Sequence, residues 1–139
     1  MTVKVNVLYN SLKEAFVKVV SDGSGSATLK LADLCQRNGE TFLESFGDTK
    51  PFTVSIRSVQ WSGANGSMMT LTRGGETVLT LMPECGGAMQ FTGEMGYNDN
   101  SGETSDFEFA GSGSTPMQVW LVLRKYNYKS LDRDARDGD

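Results

Sequence analysis

The chain has 139 residues, with Lys+Arg 13 against Asp+Glu 17 and no histidine, for a formal charge of −4. That length fits one domain able to bury roughly two thirds of the surface its unfolded chain exposes, with no need of a metal or disulfide. Without histidine, the Ser-His-Asp and Cys-His arrangements are excluded, and without a basic cluster nothing supplies the phosphate neutralisation that drives nucleic-acid affinity.

Taken in order, Val3, Val5 and Val7 alternate with Lys4 and Asn6 as a half-buried strand does, and Tyr9-Asn10-Ser11 is read as its end. Lys13 to Val20 ends in a β-branched run and is read as a second strand. Ser21 to Ser26 reads as an exposed, mobile loop, Ala27 to Leu31 as a short strand, and Ala32 to Gln36 as a single helical turn. Arg37 to Pro51 is irregular, with Phe42, Leu43 and Phe46 expected to peg a surface loop onto the domain.

Val54 to Leu81 reads as a meander of three strands, reversed at Asn65-Gly66 and at Gly74-Gly75. Val54 and Ile56 share one phase whereas Val59 and Trp61 share the other, so a β-bulge is expected at Arg57-Ser58. Ala88 to Phe91 is a further short strand, and Asp106 to Ala110 another, with Phe107 and Phe109 on one face. Met117 to Lys125 is apolar on both phases in its middle, as in a central strand covered on both faces. The whole predicts an all-β domain over 1-128, an antiparallel β-sandwich or jelly-roll-like fold of 8-9 short strands, followed by a disordered charged tail over 129-139. Sixteen glycines against three prolines fit that many turns.

No apolar run approaches the ~20 residues that cross a bilayer, and no signal block follows Met1, so no membrane partner and a cytosolic site of synthesis or assembly are expected. Cys35 and Cys85 would pair only with Cα atoms within about 7 Å, and in a reducing compartment they read as two buried thiols. Asp106 and Glu108 lie on one side of one strand and cannot flank a substrate, so they read as a solvated face. Asp99, Glu103 and the Asn98 to Gly102 loop offer oxygen atoms to calcium without its loop spacing. Arg73-Gly74-Gly75 reads as turn chemistry, and Ser21 to Ser26 lacks the Gly-Lys-Ser/Thr of a phosphate loop. No catalytic residue, metal site or cofactor is therefore expected. Trp61, Tyr97, Tyr126 and Tyr128 are aromatic faces for a sugar or a partner, or edges of the core.

Val54-Ser-Ile-Arg-Ser-Val-Gln-Trp-Ser-Gly63, the Arg73-Gly74-Gly75 hairpin and Val119-Trp-Leu-Val-Leu-Arg-Lys-Tyr126 resemble the small virion structural proteins of marine tailed bacteriophages, over about Val17 to Tyr126. The resemblance implies a non-enzymatic particle component, foremost a capsid decoration or cement protein whose partners are the major capsid protein and neighbouring virion proteins. A homo-oligomer on the particle is compatible with it. A neck, tail or tail-fibre component and a carbohydrate-binding module using Trp61, Tyr97 and Tyr128 are the alternatives. On this reading the partner interface comprises the edge residues Val3, Val5 and Val7, the loop residues Phe42 and Phe46, and Tyr126 and Tyr128.

Overall fold

Alternation builds two large sheets, because residues one apart on a strand face opposite ways and only one face meets the core. The structure, a computed structural model, describes residues 3–45, 51–85, 87–90 and 104–131. Thirteen strands occur among them: β1 (Val3–Asn10), β2 (Glu14–Ser21), β3 (Gly25–Leu29), β4 (Gln36–Arg37), β5 (Glu40–Thr41), β6 (Leu43–Ser45), β7 (Thr53–Gly63), β8 (Met68–Arg73), β9 (Glu76–Leu81), β10 (Ala88–Gln90), β11 (Phe107–Ser112), β12 (Met117–Tyr126) and β13 (Tyr128–Ser130). A five-stranded sheet runs β1-β2-β12-β7-β10 and a four-stranded sheet β3-β11-β8-β9, all antiparallel. Val17, Val19, Leu121, Leu123, Ile56 and Val59 of the first pack on Leu29, Phe107, Phe109, Met69 and Leu71 of the second. The fold is an all-β antiparallel sandwich, and its nine large-sheet strands match the expected number.

The expected bulge is present: Val122 pairs with Ser58 and Leu123 with Ile56, so Arg57 is the extra residue and Val54, Ile56, Val59 and Trp61 all turn inward. Gly74 and Gly75 both have positive φ, 60° and 82°, as the two-residue hairpin between β8 and β9 requires. The three-strand meander itself is corrected. β7 belongs to one sheet and β8 to the other, so Asn65-Gly66 carries the chain across the sandwich without closing a hairpin. Turn chemistry reverses a chain locally but does not dictate which sheet the next strand joins.

The crossover from β7 to β8 lies against the one from β11 to β12. Ala64 N donates to Pro116 O at 3.2 Å, and Thr115 Oγ1 donates to Asn65 O at 3.3 Å. Gly113, at φ 94°, sits so close that an added Cβ would stand 2.2 Å from Gly66 O. Gly113→Ala therefore combines left-handed strain with a backbone clash, and is expected to lower stability by about 1–3 kcal/mol. An unchanged urea midpoint would show that the two crossovers are free to separate.

Other expectations are adjusted. β1 continues through Tyr9 to Asn10 with a bulge between Val7 and Tyr9, so that segment is not a break. Ser21 and Gly23 are buried in the expected exposed loop, with Ser21 Oγ donating to Gly23 O at 2.6 Å. The short helix α1 (Leu31–Leu34) stands where a helical turn was expected, and Leu31 N donates to Asp106 Oδ1 at 2.9 Å. β12 is central, yet Trp120 and Val122 on its outer phase are half-buried, so only one of its faces is fully covered. β13 pairs with β6, which extends the domain to Ser130, past the boundary at 128. Residues 132–139 of the expected tail lie outside the described residues.

Candidate interaction surface

The hairpin of β1 and β2 gathers most of the apolar surface left uncovered. β1 pairs only with β2 among the described residues, so it is an edge of the five-stranded sheet. Val7 is 39% exposed, Leu8 58%, Tyr9 54% and Phe16 41%. Tyr9 is opposite Phe16 in register, and their ring centroids stand 5.5 Å apart at an interplanar angle of 48°. Two aromatic side chains held together in water form a ready contact platform, because each buries a large area on docking and the pair is already arranged. Farther along the same outer face, Lys18 Nζ lies 5.9 Å from the ring centroid of half-buried Trp120.

The seven residues expected at an interface do not share one surface. Val3 is buried, Val5 half-buried and Val7 exposed, so β1 becomes accessible only toward its second half. Phe42 is corrected to a core residue, packed under Lys125 with its ring centroid 5.1 Å from Nζ. Phe46 lies outside the described residues. Tyr126 and Tyr128 are half-buried at the far end of β12 and in β13. Tyr9 and Phe16 were missed: Phe16 on the solvent phase of β2 was a legible signal, whereas Tyr9 has the sequence phase of Val7 and reaches the outer face only through the bulge.

No protein-family profile matches this chain, and no curated protein does. Solved structures similar to it include a cupin superfamily protein and a polyketide cyclase. The cupin superfamily protein, from Desulfitobacterium hafniense, has 13% identity over 86% of this chain and 76% of that one, with a TM-score of 0.35. The polyketide cyclase RemF from Streptomyces resistomycificus has 11% identity over 97% and 76%, with a TM-score of 0.39. Likeness at that level transfers neither a fold family nor a function.

Two cations missed by sequence reasoning are buried at one end of the sandwich. Lys125 follows the inward phase of Leu121 and Leu123 and is 2% exposed. Its ammonium donates to Asn10 Oδ1, to Ser11 O at 2.6 Å and to Leu34 O at 2.9 Å, tying β12 to the β1–β2 turn and to α1. Burial pulls its pKa down to about 7, with the Cys35 thiolate opposing that and Arg37 adding to it. Burial in turn pushes the Cys35 thiol up, against the pull of Lys125. Arg73 follows the inward phase of Met69 and Leu71 and is 1% exposed, so it is no hairpin-tip residue. Its Nη1 donates to Val54 O at 2.7 Å, and Nε and Nη2 donate to Ser105 O at 3.3 and 3.0 Å. The guanidinium carbon lies 4.1 Å from the centroid of Phe107.

Neither cation is open to a substrate, and both act as ties between chain segments. Asp106 receives the first amide of α1 while Glu108 is exposed, so the two carboxylates have separate surroundings. Among the described residues no group of three His, Cys, Asp or Glu side chains is placed to hold a metal, and the Asn98 to Gly102 loop lies outside them. Cys35 is half-buried and unpaired, not fully buried as expected. Trp61 is buried with Nε1 donating to Met82 O at 3.0 Å, which withdraws it from sugar stacking. No helix among the described residues is long and apolar enough to cross a membrane.

Proposed function

We propose that this chain is a non-enzymatic structural protein of a virus particle, a capsid decoration protein that binds the shell of major capsid protein and stabilises it. The observation that carries the reading is the exposed apolar surface of the β1–β2 hairpin, where Tyr9 of the edge strand β1 is paired with Phe16 of β2 and Val7 and Leu8 are exposed beside them. Exposed apolar patches of this kind mark contact sites, and an edge strand offers main-chain hydrogen bonds to a neighbouring chain. A shell repeats its surface many times, so one copy that bridges several subunits converts modest contacts into firm attachment. The particle context itself comes from the sequence resemblance over Val17 to Tyr126.

A cryo-EM map of the particle that carries the protein tests this directly. Density over the capsid at its local symmetry axes is the expected result. Density confined to the neck or tail would move the protein there, and absence from every particle would remove the proposal. Tyr9→Ser with Phe16→Ser is expected to leave the melting temperature nearly unchanged while lowering occupancy more than about tenfold, since buried aromatic anchors dominate interfaces. Full occupancy of that variant would place the contact elsewhere.

A further inference from the structure

We propose that Lys125 and Asn10 form a covalent amide inside the sandwich, Lys125 Nζ replacing Nδ2 on the Asn10 side chain, with ammonia as the other product. The proposal is independent of the particle reading and rests on how the two residues are held. They lie 115 residues apart in sequence, yet their side chains are in direct contact, since Lys125 Nζ donates to Asn10 Oδ1.

Main-chain bonds fix both residues. Asn10 ends β1 in register with fully buried Ala15, and Lys125 sits in β12 with its N–H donating to Lys13 O at 2.8 Å. The Lys125 ammonium is enclosed by Ser11 O, Leu34 O and the Phe42 ring. A nucleophile and an acyl group held in contact by a rigid frame react as parts of one molecule, which removes the entropy loss that free partners would suffer.

The three hydrogen bonds of the Lys125 nitrogen also set its direction of attack. The ammonium has three N–H groups, and they point at Ser11 O at 2.6 Å, Leu34 O at 2.9 Å and Asn10 Oδ1. Removing the proton that faces Asn10 keeps both main-chain bonds and leaves a lone pair aimed at the side-chain amide. Burial supplies this form, because it brings the Lys125 pKa down to about 7, with Arg37 acting in the same sense and Cys35 opposing. A large share of the amine is then uncharged at neutral pH, and the uncharged amine is the nucleophile. Attack on Asn10 Cγ forms the Nζ–Cγ bond and breaks the Cγ–Nδ2 bond. One proton from Nζ leaves with Nδ2 as ammonia, and no oxidant, reductant or other reactant is consumed. Nδ2 donates to the main-chain oxygen of exposed Gln36 at 3.0 Å, so the leaving nitrogen is on the side open to water. The same attack on Ser11 or Leu34 would cut the main chain, whereas on Asn10 it removes only a side-chain nitrogen.

Until the link forms Lys125 titrates, and a pH profile of stability reads that unlinked chain, recognised by its full mass. Once formed, the bond encloses every strand from β2 to β12, so a pull on the two chain ends passes through the link instead of through the sheets.

Intact and tandem mass spectrometry of the full chain, folded and held at neutral pH, tests the proposal. The expected mass is that of the sequence less one molecule of ammonia, and trypsin is expected to release one branched peptide that joins Asn10 to Lys125, uncut after Lys125. A parallel sample kept in urea is expected to retain its full mass, because unfolding separates the pair. Lys125→Arg removes the nucleophile and Asn10→Ala the acyl group, and each is expected to keep its full mass. Asn10 is a half-buried strand end, so Asn10→Ala is expected to fold, with a cooperative melting transition as the check. A folded parent chain that retains its full mass would overturn the proposal. So would an ammonia loss that persists in Asn10→Ala, or one without the branched peptide, as a succinimide at Asn10 or Asn65 would give.

Discussion

Arg73→Met is expected to lower the unfolding free energy by about 3–5 kcal/mol, the largest loss from any single side chain discussed for this protein. The guanidinium bridges Val54 O of one sheet and Ser105 O ahead of β11 in the other. Methionine keeps the apolar contact with Phe107 but leaves the buried Val54 carbonyl and the half-buried Ser105 carbonyl without this donor, and hydrogen bonds from a charged group contribute about 1.5–3 kcal/mol each. Arg73→Lys should recover only part of the loss, because one ammonium cannot reproduce the planar fork that reaches both acceptors. Urea denaturation measures it. A methionine variant within about 1 kcal/mol of the parent, too little for even one such bond, would mean that water takes over the fork's role.

Lys125→Met is expected to destabilise by about 3 kcal/mol near pH 7 and also to change how stability depends on pH. Burial lowers the folded pKa of Lys125 from 10.5 to about 7, so between those values the unfolded chain holds more protons than the folded one. Stability then rises with pH across that window, by at most ~1.4 kcal/mol per pH unit, and the gain shrinks as pH falls across it until none remains below about 7. Cys35 acts in the opposite sense. Its thiol is pushed above 9.0, so the folded chain keeps that proton longer and stability declines as pH passes 9. The rising arm attributable to Lys125 is therefore expected between pH 7 and 9, and it should vanish in the methionine variant. Parallel pH profiles for the two proteins would sink the assignment.

Phase carried most of what the sequence revealed about this fold. Alternation at Val3 to Val7, the phase slip at Arg57 and the paired glycines at 74 and 75 each report a local constraint, and each stands as expected. Asn65-Gly66 misled because reversal is local whereas sheet membership depends on contacts far along the chain. Arg73 was read with its turn and Lys125 only as the end of a strand, although both carry the inward phase of their apolar neighbours. Their acceptors explain why phase prevailed: Ser105 is 32 residues from Arg73, and Ser11 is 114 from Lys125, separations that no window along the sequence samples. β1 was identified as an edge, whereas Phe42, expected to peg a surface loop and offered as an interface residue, is a core residue covered by Lys125 from far along the chain.

The position of β12 sets an order of assembly. It is the last strand of the two large sheets to be synthesised, yet it lies between β2 and β7, both made long before it. A ribosome that has finished β7 has released two strands whose shared neighbour does not yet exist, each with an unpaired edge. The five-stranded sheet closes by insertion, after Tyr126 has emerged, and pairing over such sequence distances is slow. A message cut short before Met117 accordingly yields an aggregation-prone fragment and not a smaller sandwich.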